Sequence, residues 1–416
     1  MSFEKISVIG LGYIGLPTAA VLAAHGHTVI GVDVNAHAVA TINSGKAHIT
    51  EPDLDVTVQS AVASGRLRAV TAAEPADAFI IAVPTPFKDG YEPDVSFVRA
   101  AALSIAPALR PGNLVILEST SPVGTTSALS EWLAEARPDL TMPSRAGEQS
   151  DIHIAYCPER VLPGKVIREL VENDRIIGGL SDRSTDKAAE LYALFVKGLA
   201  LKTNARTAEM CKLVENSFRD VNIAFANELS IVCAGLGINV WELIKLANHH
   251  PRVNILQPGP GVGGHCIAVD PWFIVHSSPE HARLIRTARE VNDSKPDFVM
   301  AEIKSLANRF KAPRIACLGL SFKPDIDDLR ESPAVEIVKQ LALDAVGELL
   351  VVEPHVNALP KELATLPGIR LTSLAEAVEH ADIVVMLVNH RDFKALDIRL
   401  LTNKLLVDTR GEWASR

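Results

Sequence analysis

The stretch "KISVIGLGYIGLPTAAVLAAHGHTVIGVDVN", residues 5–35, constrains the fold of this chain more than any other segment. An apolar run, Ile6 to Ile9, leads into Gly10, Gly12 and Gly15, and a helix-like segment follows. A second apolar run, Thr28 to Val32, ends at Asp33, which lies 18 positions beyond Gly15. Strand, glycine turn, helix, strand and a carboxylate about 20 residues on make a full dinucleotide-binding context, because each part has a separate task. Gly10 permits the tight turn, Gly12 admits a pyrophosphate, and Gly15 lets the helix pack on the strand. The backbone of Tyr13 and Ile14 then faces the phosphates. Asp33 is placed to accept hydrogen bonds from the adenosine ribose and to repel a 2′-phosphate, so NAD is expected rather than NADP.

"AFIIAVPTP" and "NLVILESTSP" read as further buried parallel strands ending in polar loops. Thr85, Thr120 and Thr126 sit at or just past those ends. Their hydroxyls suit the cofactor's ribose, its nicotinamide end or an ordered water, or equally a plain turn or cap.

At 416 residues, 48% of them hydrophobic, the chain is too long for one core and rich enough in apolar residues for several. Its C-terminal third repeats the opening plan. "PRIACLGLSFKPD" is a strand and turn, "SPAVEIVKQLAL" a helix, and "GELLVVEPH" a strand ending at Glu353. "ADIVVMLVNH" then echoes "ADAFIIAVPTP", and "NKLLVDTRGEW" echoes "NLVILESTSP". This second copy lacks the glycine triplet and offers Lys323 and Arg330 instead, so it should hold an anion by side chains. Between the copies, roughly Thr203 to Ala247, lies a helix-rich stretch without proline and with few turn signals until Gly235, whose length suggests a long connecting helix. The expected class is α/β, with two doubly wound Rossmann-like domains joined by a helical central region. The expected boundaries are residues 1–200, 201–300 and 301–416. Paired nucleotide domains on such a helix suggest a homodimer or higher homo-oligomer by fold analogy.

Charge and cysteine usage narrow the partners. A net charge of −9 argues against nucleic acid or an anionic membrane surface, so any anionic ligand needs a local basic pocket. The five scattered cysteines form no CxxC pair, which fits neither a disulfide framework nor a zinc site. No metal is expected, and a reducing cytoplasm is. Ile6 to Ala24 is uncharged for 19 residues, long enough to suggest a signal peptide or a membrane span. Three glycines and Pro17 interrupt it, and strand, turn and helix is the better reading.

Three constellations could carry chemistry. Lys212, Asn216 and Arg219 are spaced i, i+4, i+7, on one face of the long helix. Such a stripe is either the solvated side or the lining of a pocket, where a lysine stabilises an alkoxide and an asparagine orients an oxygen. His249, His250 and Arg252 make a basic cluster suited to phosphate or sugar oxygens, or a solvated loop start. "GPGVGGHCIAVDP" places Cys266 after Gly263 and Gly264, with Asp270 four residues on. A cysteine is usually a small buried hydrophobe, but a helix starting near Cys266 would favour its thiolate. His265 is adjacent in sequence, and neighbouring side chains diverge, so it is not cast as the base.

Over essentially its whole length the chain resembles the nucleotide-sugar 6-dehydrogenases of the UDP-glucose dehydrogenase superfamily. "GLGYIGLPTAA", "CPERVLPG", "TAEMCKLVENSFRDVNIAFANELS", "HPRVNILQPGPGVGGHCIAVDPWF" and "FKPDIDDLRESPA" carry the resemblance. It implies oxidation of a UDP-sugar C6 alcohol to a carboxylate, with two hydrides passed to NAD. Cys266 is then the nucleophile that captures the aldehyde as a thiohemiacetal and becomes a thioester. Lys212 matches the lysine that stabilises the oxyanion, Asn216 its substrate-orienting partner, and Thr120 and Asp270 the residues that hold a water. Glu159 matches an acid/base in thioester hydrolysis, with Arg160 and Val161 following on a substrate-facing loop. Phe322 and Lys323 match the uridine-diphosphate side, Arg330 the NAD pyrophosphate side, and Arg252 a contact to a neighbouring subunit's sugar. Arg219, His250 and Gly263 complete the expected substrate-binding set.

Two departures bear on the substrate. Pro163 stands where UDP-glucose dehydrogenases carry a second glutamate, and Val269 where they carry a lysine. Both fit the N-acetylhexosamine branch, so UDP-N-acetyl-D-mannosamine is the expected substrate. Its product would serve bacterial surface polysaccharide of the enterobacterial common antigen type. The gluco epimer is the nearest alternative, a two-electron 3-hydroxyacid dehydrogenase a more distant one, and a non-catalytic NAD sensor a third.

Overall fold

A computed structural model describes residues 3–162, 164–264 and 266–413. They fall into two compact units divided between Glu215 and Asn216, inside the 32-residue helix Ala205–Leu236. Among the described residues no helix is long and apolar enough to cross a membrane. Pro163 and His265 lie outside the described residues.

The first unit is built on strands β1 (Lys5–Ile9), β2 (Thr28–Val32), β3 (Leu67–Val70), β4 (Ala78–Ile81), β5 (Leu114–Leu117), β6 (His153–Tyr156), β7 (Arg175–Gly179) and β8 (Ala200–Asn204). Their order across the sheet is β3-β2-β1-β4-β5-β6-β7-β8. Every pair is parallel except β6 with β7. The order reverses between β1 and β4, which is where open α/β sheets place ligands beyond the strand ends. Two apolar clusters cover the sheet's faces. One is centred on Ile6, Val8 and Leu16, the other on Phe79, Ile81 and Leu117. Strands buried on both faces explain the unbroken apolar runs in the sequence.

The second unit carries β9 (Arg314–Leu318), β10 (Glu348–Val352), β11 (Ile369–Leu371), β12 (Ile383–Met386) and β13 (Leu405–Asp408). The order is β11-β10-β9-β12-β13, parallel throughout. It is a five-stranded version of the same winding, as the sequence echo implied. Ahead of the sheet come the rest of the long helix and helices Val240–Ala247, Asp270–Ser277 and Arg283–Ala307.

The long helix has an inverted polarity. Lys212, Asn216, Asp220 and Asn227 are buried, while Met210, Val214, Phe218 and Phe225 are exposed. In the second unit its polar face meets a network rather than water. Arg289 Nη1 donates to Asp220 Oδ1 at 2.6 Å and Asn292 Nδ2 to the same oxygen at 2.8 Å. Asn227 Nδ2 donates to Asn292 Oδ1 at 2.8 Å, and its own Oδ1 accepts Gly259 N–H at 2.9 Å. Removing one member of a buried charged network costs about 3–5 kcal/mol, because it leaves the other members uncompensated. This network therefore anchors both the helix Arg283–Ala307 and the start of the glycine loop.

Candidate active site

The glycine turn of the first unit has the geometry its sequence requires. Gly10 has φ +87°, and its N–H donates to Val32 O at 2.8 Å. A Cβ on Gly15 would lie 1.8 Å from Gly10 O, whereas one on Gly12 would meet nothing within 4 Å. The first is close helix-strand packing, and the second is open space at a helix N-terminus, as a pyrophosphate needs. Asp33 Oδ2 accepts Leu11 N–H at 2.9 Å and Oδ1 accepts Asn35 N–H at 2.8 Å, which orients a half-exposed carboxylate beyond β2. Tyr13 is exposed and Ile14 half-buried. These residues fit a dinucleotide.

The threonines divide. Thr85 Oγ1 donates to Thr120 O at 2.5 Å, joining the ends of β4 and β5. Thr126 is fully buried, and its hydroxyl donates to Glu209 Oε1 at 2.6 Å. Glu209 Oε2 also takes Gly124 N–H at 2.6 Å, so this carboxylate caps the start of helix Thr125–Ala136. The hydroxyl of Thr126 thus has a protein partner, and Glu209 is a residue the sequence reading missed.

Lys212 and Glu159 meet in the first unit. Lys212 Nζ donates to Glu159 O at 2.7 Å and lies 4.0 Å from Glu159 Oε2, with both side chains mostly buried. Glu159 Oε1 accepts Val161 N–H. Burial pushes the Glu159 carboxyl up to about 7, against the pull of Lys212 and Arg175. That value suits proton transfer near neutrality. Arg160 is tied to Glu215 at 2.9 Å. Behind this loop Tyr192 OH donates to Glu118 Oε1 at 2.6 Å, and Arg175 lies over the Tyr192 ring, all of it buried.

In the second unit Asn216 Nδ2 donates to Asp270 Oδ2 at 2.5 Å, both side chains buried. Cys266 is exposed one turn earlier, and its carbonyl accepts Asp270 N–H at 2.9 Å. The helix begins at Asp270 rather than at Cys266, so the thiol precedes the helix by a turn. Two other thiols are fully buried. Burial pushes Cys157 and Cys317 up to about 12.

The glycines before Cys266 make room for protein. A Cβ on Gly264, at φ +85°, would lie 2.8 Å from the Phe322 ring, and one on Gly263 would lie 2.4 Å from Glu331 O. Gly264 N–H donates to Arg330 O at 3.3 Å. The structure therefore brings Gly263, Phe322 and Arg330 together. The Arg330 guanidinium pairs with Asp328 at 2.6 Å, and Lys323 is half-buried beside Phe322. Arg219, His250 and Arg252 are exposed, so Arg219 departs from the buried stripe that holds Lys212 and Asn216.

Comparison with known proteins identifies the family. The chain matches the UDP-glucose/GDP-mannose dehydrogenase family in three parts: the NAD binding domain over residues 4–196, the central domain over 206–294, and the UDP binding domain over 316–414. It is 60% identical to UDP-N-acetyl-D-mannosamine dehydrogenase of Escherichia coli K12, covering 99% of this chain and 100% of that one. It is 62% identical to NDP-N-acetyl-D-galactosaminuronic acid dehydrogenase of Ralstonia nicotianae, covering 100% and 98%. Among solved structures, UDP-D-ManNAc dehydrogenase of Pyrococcus horikoshii superposes with a TM-score of 0.87 at 38% identity, covering 98% and 96%.

Proposed function

The chain belongs to the UDP-glucose/GDP-mannose dehydrogenase family, and on that premise we propose that its substrate is UDP-N-acetyl-D-mannosamine, oxidised at C6 to the uronate. It is an NAD-dependent nucleotide-sugar dehydrogenase. The observation that carries the chemistry is the exposed Cys266 thiol, one turn before a buried carboxylate that Asn216 holds. The net reaction converts the alcohol, one water and two NAD⁺ into a carboxylate, two NADH and three protons. Bound NAD⁺ supplies the hydride acceptor, once for each oxidation.

The residues of this chain do the rest. Lys212 stabilises the oxygen anion that develops at C6, and Asn216 orients that oxygen. Cys266 Sγ gives up its proton to the water held by Thr120 and Asp270 and bonds to C6 of the aldehyde, as the C=O π bond opens to the oxygen that Lys212 stabilises. Loss of the second hydride from C6 turns the thiohemiacetal into a thioester. Covalent capture keeps a reactive aldehyde from leaving between the two oxidations. Thr120 and Asp270 hold the water that then attacks, Glu159 takes its proton, and the C–S bond breaks with departure of the thiolate. Thr85, Thr126 and Arg330 belong to the cofactor side. Arg160, Val161, Arg219, His250, Arg252, Gly263, Phe322 and Lys323 belong to the sugar nucleotide. Residues 1–200 serve as the NAD domain, 201–300 as the helical centre and 301–416 as the UDP-sugar domain. The enzyme acts in the cytoplasm and supplies an acidic sugar to surface polysaccharide.

Product and stoichiometry test this reading together. Two NADH should form per sugar, with the uronate seen by mass spectrometry, and a ratio of one would leave only a two-electron alcohol dehydrogenase. The manno, gluco and galacto substrates belong in the same assay, since the Ralstonia relative favours a galacto reading. Faster turnover of either other epimer would overturn the manno assignment.

Glu159 should set the pH dependence of hydrolysis. Its carboxyl titrates at about 7, so it is a neutral acid below that pH and a base above it. Single-turnover thioester hydrolysis should rise about tenfold per pH unit toward 7 and then level. Glu159→Gln should abolish the inflection, and an unchanged profile in that variant would remove Glu159 from the step.

The exposed apolar stripe of the long helix, with Phe218 68% and Phe225 53% exposed, supports a homodimer formed through it. Light scattering should give a dimer for the parent and a monomer for Phe218→Asp/Phe225→Asp. A parent monomer would refute this assembly.

A further inference from the structure

We propose that Glu353 and His390 are positioning residues for nucleotide-sugar recognition, bracing the Ser321–Asp325 turn that carries Phe322 and Lys323. The inference rests on the reading of that turn as the uridine-diphosphate site. It starts from a difference between the two sheets. Asp33 and Glu353 occupy the same place, one residue past the second strand of each unit, and each accepts an N–H from the turn after the first strand. Leu11 N–H donates to Asp33 at 2.9 Å and Leu320 N–H to Glu353 at 2.7 Å. Asp33 stays half-exposed, whereas Glu353 is buried.

What covers Glu353 is His390, fully buried after β12. His390 Nε2 lies 3.1 Å from Glu353 Oε2, which also accepts Ser321 N–H at 3.0 Å. Asp325 N–H donates to His390 Nδ1 at 2.9 Å, so the imidazole accepts at Nδ1 and donates at Nε2. Glu353 Oε1 takes His355 N–H at 3.1 Å. Burial opposes ionisation of Glu353, yet the hydrogen bonds from His390 and Leu320 hold its carboxyl below the ordinary range.

The turn needs such a brace. Asp325 has φ +61°, a left-handed conformation uncommon for non-glycine residues though tolerated best by Asn and Asp, so the hydrogen bonds around it help to hold the turn. Asp325 is held from both sides, by its N–H on His390 and by its Oδ1 on Arg391 N–H at 3.0 Å. Ser321 Oγ donates to Lys323 O at 2.8 Å, closing the turn around the lysine. Glu353 thus has no open face for a ribose. The acid that serves a dinucleotide in the first unit has become the internal support of a turn that presents side chains.

A metal reading fits less well. Asp325, His355 and His390 bring ligand atoms within 4.8 Å of one another, but both His390 nitrogens already have protein partners.

Calorimetric titration of the full-length enzyme with UDP tests the brace, alongside steady-state kinetics. His390→Ala should weaken UDP by about tenfold or more and raise the UDP-sugar KM in step, with kcat and the NAD⁺ KM within about threefold of the parent. His390→Asn, whose Oδ1 replaces Nδ1 as acceptor for Asp325 N–H, should recover much of the loss. Lys323→Ala is the control for the site. UDP affinity within about twofold of the parent in His390→Ala, while Lys323→Ala binds weakly, overturns the brace alone. Unchanged affinity in both variants overturns the UDP reading of the turn as well. If His390→Ala does not fold, His390→Asn and Glu353→Gln carry the comparison, with Glu353→Gln the weaker binder. Equimolar Zn²⁺ bound by the parent and lost in a folded His390 variant would replace the brace with a metal site.

Discussion

Replacing Cys266 with alanine is expected to lower steady-state formation of the uronate by on the order of 10⁴–10⁶-fold, the scale seen when a catalytic nucleophile is removed. Two features of the structure set that expectation. The thiol is exposed just ahead of helix Asp270–Ser277, and the preceding glycines hold its loop against Phe322 rather than leaving it loose. Without the sulfur, C6 has no covalent anchor for the second oxidation, so NADH should not exceed one equivalent per enzyme-bound sugar. The first oxidation and UDP affinity should remain, because neither needs the thiol. Rapid-quench measurement of NADH and product in Cys266→Ala settles it. Uronate formed at a tenth of the parent rate or faster would remove covalent catalysis from the account.

Lys212→Met is expected to lower kcat by about 10²–10⁴-fold, which corresponds to about 2.7–5.5 kcal/mol of lost oxyanion stabilisation. Methionine keeps the length of the side chain and removes the charge. The same substitution should act on Glu159, since Lys212 lies 4.0 Å from its carboxylate and holds its titration down. With the ammonium gone, the Glu159 inflection should move above about 7, so hydrolysis at neutral pH slows for a second reason. Single-turnover rates across pH 6–9 separate the two effects, the first as a uniform drop and the second as a displaced inflection. A loss below tenfold with no displacement would make Lys212 a structural residue that only ties down Glu159 O.

How much of this could be read from the sequence depends on how local each feature is. The glycine turn and its strands were legible because they lie within about thirty residues and each glycine has a steric task. Thr28–Val32 is the observed β2, and the echoing runs in the last third became β9, β10, β12 and β13. The antiparallel β6–β7 pairing was not legible, since Arg175–Gly179 carries no turn signal toward its partner. The long helix falls inside the expected stretch but ends at Leu236, with Val240–Ala247 a separate helix, and of the two readings its polar stripe allows, the interior one holds at Lys212 and Asn216. A polar stripe at helical spacing resembles a solvated face, and only Arg289 and Asn292, about 70 positions on, make Asp220 an interior residue. Distance in sequence hid Glu118 from Tyr192 and Glu353 from His390 in the same way. Lys212, Asn216, Asp270 and Cys266 carry roles that family resemblance implies, and the structure adds Glu209 and Glu353 as residues that hold turns and Asp220 as one that ties the long helix to helix Arg283–Ala307.

The contrast among the thiols has a practical use. Two of the five are so deeply enclosed that they stay protonated up to about pH 12, while Cys266 faces solvent. A limiting amount of a mild alkylating reagent at neutral pH should therefore mark Cys266 ahead of Cys157 and Cys317. The fraction of chains labelled at that position then counts competent active centres in a preparation, and its decline under bound sugar nucleotide reports occupancy directly.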